Sequence, residues 1–219
     1  MRLRKERGII VAFDMENVEL AMKLAEDLRG VEGNFAIKIG RPLEMQVGKK
    51  IITKIKEISE LPIIYDGKIA DIPYISRKIA EIAYDAGADA VIVQGFVGSD
   101  VLKEIKELDK GDLIVVIEMT HKGSDEFIRA EAERIALMSR EIGVDGVVLP
   151  ANKPERLKKL ATLIDAYIIS PGIKVQGARP GDAILAGADY EVVGRAIYGS
   201  EDPKKAAEEI YKEVLERCK

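Results

Sequence analysis

Eight short apolar runs, rich in β-branched residues, recur along the chain: GIIVAFD, NFAIKIG, LPIIYD, ADAVIVQG, DLIVVIEMT, DGVVLP, AYIISPG and DYEVVG. Continuous apolar runs of this length predict strands buried on both faces, as in a parallel sheet. Between them lie segments with helical spacing. ENVELAMKLAEDLRG sets Val18, Ala21, Met22, Ala25 and Leu28 on one stripe and stops at Gly30. GSDEFIRAEAERIALMSREIG predicts a helix capped by Ser124 and closed by Gly143. EDPKKAAEEIYKEVLERCK, with Pro203 in its first turn, reads as a final helix. About eight strand–helix units favour a closed (β/α)8 barrel. An open doubly wound sheet needs fewer strands and usually a glycine fingerprint after the first, where this chain has FDMENVE.

Composition narrows this without changing it. Of 219 residues, 47% are hydrophobic, enough for one core, and no linker or low-complexity tract divides the chain, so residues 1–219 read as a single domain. A net charge of −4 gives no electrostatic footing for nucleic acid or a membrane surface. No apolar stretch is long enough to span a membrane, and no secretory cleavage pattern follows the basic start. Cys218 is the only cysteine, which rules out disulfides and cysteine metal sites and suits the cytoplasm. Charged residues make up 33%, and the amides are few: Asn17, Asn34, Asn152, Gln46, Gln94 and Gln176. That usage resembles a thermophile's.

The polar residues carry the chemistry. Lone charges are costly to bury, so folding alone would not place Asp66, Lys68 and Asp71 of YDGKIADIP where a buried strand ends. In a barrel, active sites form at the C-terminal ends of the strands. Those ends carry Asp14, Lys38, Asp66 with Lys68, Gln94, Thr120 with His121, Pro150, the loop SPGIKVQGARPGD, and Gly194 with Arg195. The loops after strands 7 and 8 are the usual phosphate seat of this fold, so Gly194 and Arg195 are expected to bind phosphate.

Through DGKIADIP, together with AFDMEN, IKIG, EMTHKG, ISPGIKVQG and VGRAIY in the same order over residues 12 to 198, the chain resembles the orotidine 5′-phosphate decarboxylases. The Asp-x-Lys-x-x-Asp motif alone is shared with related sugar-phosphate decarboxylases and aldolases, whereas the full set is more specific. Metal-dependent relatives complete a magnesium site with a carboxylate at the end of strand 2. Lys38 stands there in this chain, and an ammonium repels a cation, so no metal or other cofactor is expected. The resemblance implies loss of CO2 from orotidine 5′-monophosphate to give UMP, with Lys68 as proton donor in an array of Lys38, Asp66, Lys68 and Asp71. It implies a homodimer in which Asp71 reaches the partner's site. It also implies that Asp14, Ile72, Pro171 and Gly172 contact substrate, that Thr120 meets the pyrimidine, and that Gln176, in a closing loop, links base and phosphate. Where the family often has a threonine touching the partner's ribose, this chain has Ile75. His121 is expected in a structural or loop role and Tyr198 in packing. A silent phosphate-binding barrel is the competing reading, but it would not need all four array residues.

Overall fold

The computed structural model describes residues 3–173 and 177–219. The apolar runs become β1 (Gly8–Phe13), β2 (Phe35–Gly40), β3 (Ile63–Ile69), β4 (Ala90–Gln94), β5 (Asp112–Val116), β6 (Gly146–Val148), β7 (Tyr167–Pro171) and β8 (Tyr190–Val193). They pair in parallel in chain order, and β8 returns to β1, so the barrel closes as the alternation predicts. The connections hold α1 (Val18–Asp27), α2 (Arg41–Val47), α3 (Lys50–Ser59), α4 (Pro73–Asp85), α5 (Ser99–Lys106), α6 (Ile128–Ile142), α7 (Pro154–Ala161), α8 (Asp182–Leu185), α9 (Arg195–Tyr198) and α10 (Pro203–Arg217). None of the described helices is long and apolar enough to cross a membrane.

Alternation along each strand makes two cores. Ile10, Ala12, Ala36, Ile64, Ala90, Ile92, Ile114, Val116, Val148, Ile169 and Val192 fill the barrel interior. Their neighbours Ile9, Val11, Phe13, Ile37, Ile39, Val91, Val93 and Val115 point outward and pack with helix residues such as Leu24, Ile52 and Leu102. Small side chains at 12, 36 and 90 fit the crowded centre of an eight-stranded barrel.

Three local expectations change. Ser124 does not cap α6: it is buried in a short 3₁₀ turn, Lys122–Asp125, and its hydroxyl accepts from the Met119 N–H at 3.3 Å. The helix starts four residues later, and Gly143 closes it in the left-handed region as expected. In α1 the buried stripe includes Leu24, while Val18 and Met22 are half-buried. β3 runs three residues past Asp66 because its register against β4 shifts between Tyr65 and Ile69.

The N-terminal rim of the barrel is stitched by a recurrent aspartate. Asp89, just before β4, accepts the Ile63 N–H at the start of β3 at 2.9 Å. Asp145, before β6, accepts from Leu113 in β5 at 2.9 Å, and Asp189, before β8, from Ile168 in β7 at 2.8 Å. Each carboxylate satisfies an N–H that the parallel ladder leaves open and ties neighbouring strands together at the rim opposite the site.

Candidate active site

Continuing the inward register by one step past the apolar interior gives a polar layer. Asp14 follows Ala12, Lys38 follows Ala36, Asp66 follows Ile64, Gln94 follows Ile92, Glu118 follows Val116, and Pro171 follows Ile169. All of this layer but Gln94 floors a cavity of about 200 Å³, which Lys68, Thr120 and apolar residues including Ile92, Val148 and Val192 also line. The same strand periodicity that builds the core therefore delivers the charges, at the end of the barrel where loops leave room for a ligand.

The charges form a chain of contacts. Lys38 Nζ lies 2.9 Å from Asp14 Oδ1 and 2.9 Å from Asp66 Oδ2. Lys68 Nζ lies 2.8 Å from the same Asp66 oxygen and 2.9 Å from its Oδ1. Asp66, only 6% exposed, thus sits between two ammonium groups, while the side chains of Lys68 and Asp14 are 41% and 49% exposed at the cavity mouth. Burial alone would raise the Asp66 pKa, but Lys38 and Lys68 outweigh it and hold the carboxyl below its ordinary range. Burial likewise opposes the Lys38 charge, and the two carboxylates overcome it, so this ammonium stays protonated well above the ordinary lysine value. Lys68 holds a left-handed backbone, φ 41°, at the shifted end of β3. A non-glycine residue in that region is strained, and here the strain turns its side chain to the same carboxylate that Lys38 contacts.

A second cleft adjoins the first and shares Asp14, Pro171 and Val192 with it. It adds Gly172, Gly194, Arg195 and Tyr198 and encloses about 270 Å³. Arg195 is exposed and makes no ion pair among the described residues, so its guanidinium faces the cleft without a competing carboxylate. Gly172 sits at φ 119°, a left-handed conformation that glycine adopts freely, where the chain leaves β7. Gln176 lies outside the described residues.

Asp71 is not brought to Lys68 within one chain. It is exposed, and its carboxylate accepts the Ile72 N–H at 2.7 Å. Ile72 and Tyr74 beside it are 63% and 62% exposed. His121 is exposed in a loop, and Tyr198 is half-buried at the rim of the second cleft. Among the described residues, no cluster of three or more His, Cys, Asp or Glu is arranged to hold a metal ion.

Sequence reasoning missed Glu118, which lines the cavity yet is fully buried. Arg156 donates to its Oε2 from Nε at 3.0 Å and Nη2 at 2.7 Å, and Lys153 lies 3.2 Å from its Oε1. Lys153 also donates to the Met119 carbonyl at 3.3 Å, and Asn152 to the Thr120 carbonyl at 3.1 Å. The segment carrying Thr120 is thereby pinned from the β6–α7 connection. The only signal in the sequence is an acid inside an apolar run, because its cationic partners come 35 and 38 residues later.

A closed parallel barrel with an alternating charge array at its C-terminal mouth, and an arginine cleft beside it, defines the protein as a (β/α)8-barrel enzyme. Comparison with known proteins then fixes which kind. The chain belongs to the orotidine 5′-phosphate decarboxylase / HUMPS family, whose model matches residues 7–210. It is 46% identical to the orotidine 5′-phosphate decarboxylase of Methanosarcina mazei over 217 residues, covering 97% of each chain. It is 42% identical to that of Thermococcus kodakarensis over 214 residues, covering 97% of this chain and 99% of the relative. Its structure is similar to the crystal structure of orotidine 5′-monophosphate decarboxylase from Methanocaldococcus jannaschii complexed with the inhibitor BMP. That likeness has a TM-score of 0.89 at 35% identity and covers 95% of this chain and 99% of the other.

Proposed function

We propose that the chain removes CO2 from orotidine 5′-monophosphate to give UMP, with Lys68 supplying the proton at C6. The observation that carries this reading is the Lys38–Asp66–Lys68 array, whose shared carboxylate is held by both ammonium groups at 2.8 to 2.9 Å. Its relatives bear the name of this activity, and the array lies beside a cleft whose free guanidinium suits a phosphate. The bond from C6 to the carboxylate breaks and its electron pair stays on C6. CO2 leaves, and the Lys68 ammonium transfers a proton to C6, to be reprotonated from water.

Lys68 opposes the charge that develops on C6, and Asp66 keeps it aimed there. An ammonium ~4 Å from that charge gives about 4 kcal/mol at an effective dielectric of ~20. A reaction this slow without catalysis asks for ~23 kcal/mol or more. The larger share comes from binding the remote parts of the nucleotide: phosphate by Arg195 and the Gly194 N–H, ribose by Asp14, pyrimidine by Thr120. Pro171, Gly172 and Gln176 belong to the loop that closes over it. The reaction runs without a metal, because Lys38 Nζ already occupies the place between Asp14 and Asp66 where a cation would be drawn.

The working unit in this reading is a homodimer of one-domain barrels spanning residues 1–219. Asp71 and Ile72 enter the partner's site, which accords with Asp71 being exposed and flanked by the exposed apolar residues Ile72 and Tyr74. A lone cysteine and sparse amides suit the cytoplasm of a heat-adapted cell. The test is loss of the orotate-ring absorbance of orotidine 5′-monophosphate in excess EDTA, for wild type beside Lys68→Ala. Turnover by wild type alone is the expected result. A wild type that binds UMP without turnover would leave only a phosphate-binding barrel.

A further inference from the structure

We infer that Glu191, on the outer face of β8, is a positioning residue that with Arg217 clamps the far end of the β7–α8 loop and so shapes the phosphate cleft. The inference rests on the phosphate reading above. Glu191 is fully buried and, among the described residues, has no Lys or Arg within ion-pair distance. Its carboxylate is instead satisfied by backbone. The Gly181 N–H donates to both oxygens at 2.9 Å, and the Ala183 N–H donates to Oε1 at 3.0 Å. A fully buried carboxylate without a countercharge is costly, and burial raises its pKa despite these donors. An apolar residue would fill this outward position at lower cost, as Val193 does two residues on.

What the carboxylate secures is the loop's return. At its start the loop leaves β7 at Pro171, which is in register with Val192 of β8. At its end, Gly181 and Ala183 hang from the Glu191 side chain, one residue before Val192 on that strand. Both ends are therefore fixed to the strand that runs on into Gly194 and Arg195. Arg217 of α10 holds the same segment from outside: its guanidinium donates to the Pro180 carbonyl and pairs with Asp182 at 2.7 Å. Ile173 bridges to Ala178, and the Ala178 N–H donates to the Gly172 carbonyl at 3.3 Å, so the base of the loop is cinched between these anchors. Gly172 and Ile173 line the phosphate cleft, so a slack far anchor misplaces them relative to Arg195.

Glu191→Gln puts an NH2 group against the Gly181 N–H, and Arg217→Met releases Pro180 and Asp182 at a partly exposed position with little risk to folding. Dissociation constants of UMP and of uridine, which lacks the phosphate, are measured for wild type and both variants, beside their melting temperatures. The expected result is UMP weakened about tenfold in either variant, as when one charge-assisted contact to an anion is lost, with uridine unchanged. Equal losses for UMP and uridine, or no loss for UMP in a variant that remains folded, overturn the inference. Failure of wild type to decarboxylate orotidine 5′-monophosphate would overturn the proposed reaction instead, so the two failures are distinct.

Discussion

Replacing Asp66 by Asn keeps the shape of the side chain and removes the one negative charge between Lys38 and Lys68. Both ammonium groups touch the same oxygen, at 2.9 and 2.8 Å, so their nitrogens lie no more than about 5.7 Å apart. At that separation and an effective dielectric of ~20, like charges repel by about 3 kcal/mol. Lys68 is 41% exposed, so solvent screens about half, leaving ~1.5 kcal/mol, or roughly tenfold. Lys38 is buried and keeps Asp14 as a partner, so Lys68 is the group that swings away. A displacement of ~1 Å from the reacting carbon costs about a further hundredfold. The expected outcome is a fall in kcat/KM of roughly a thousandfold, read from the orotate-ring absorbance, with UMP affinity nearly unchanged because the phosphate contacts stay intact. Circular dichroism establishes that the variant is folded. An Asp66→Asn enzyme within threefold of wild type would refute the idea that this carboxylate aims Lys68.

Asp66 has a depressed pKa, so its stabilising contribution is complete above the ordinary carboxylate value of ~4 and is lost as pH falls through its lower folded value. Lys38 has a raised pKa, so its contribution is complete below ~10 and is lost only as pH rises through its higher folded value. The difference in melting temperature between wild type and Lys38→Met should be flat from about pH 5 to 9 and shrink below ~4; a slope inside that window would contradict the array. Gly40→Ala would drive a Cβ into the Asp14 oxygen that accepts from Lys38. Its KM for orotidine 5′-monophosphate is expected to rise about tenfold, and an unchanged KM would remove Asp14 from the ribose site. Glu118→Gln removes the charge of a fully buried carboxylate that pairs with the partly exposed Arg156 and Lys153, a loss of ~3 kcal/mol, and scanning calorimetry should show melting roughly 10 °C lower.

The barrel and the array were legible because each breaks a pattern in the sequence. Buried parallel strands read as unbroken apolar runs, and a lysine inside IKIG or an aspartate after LPIIY stands out against them. The two buried glutamates were not legible. Glu118 takes its charge partners from the next strand–helix unit, and Glu191 takes backbone N–H groups that carry no residue identity. Ser124 was misread because a serine before a helical pattern serves equally as a cap or as a turn residue bonding back to Met119. The three residues that β3 adds beyond Asp66 depend on its register against β4, which only the closed barrel fixes. Asp71 stood out by its motif, but within one chain it is exposed to solvent and stays outside the array.

The rim aspartates join strands in pairs, β3 with β4, β5 with β6 and β7 with β8. A cut at the seam of β4 and β5, between Lys106 and Asp112, divides the barrel into two four-stranded halves and leaves each of these three aspartate bonds inside one half. Fragments cut at that seam and expressed together should reassociate into a working barrel more readily than fragments cut between β3 and β4, where the Asp89 bond to Ile63 would have to re-form across the break.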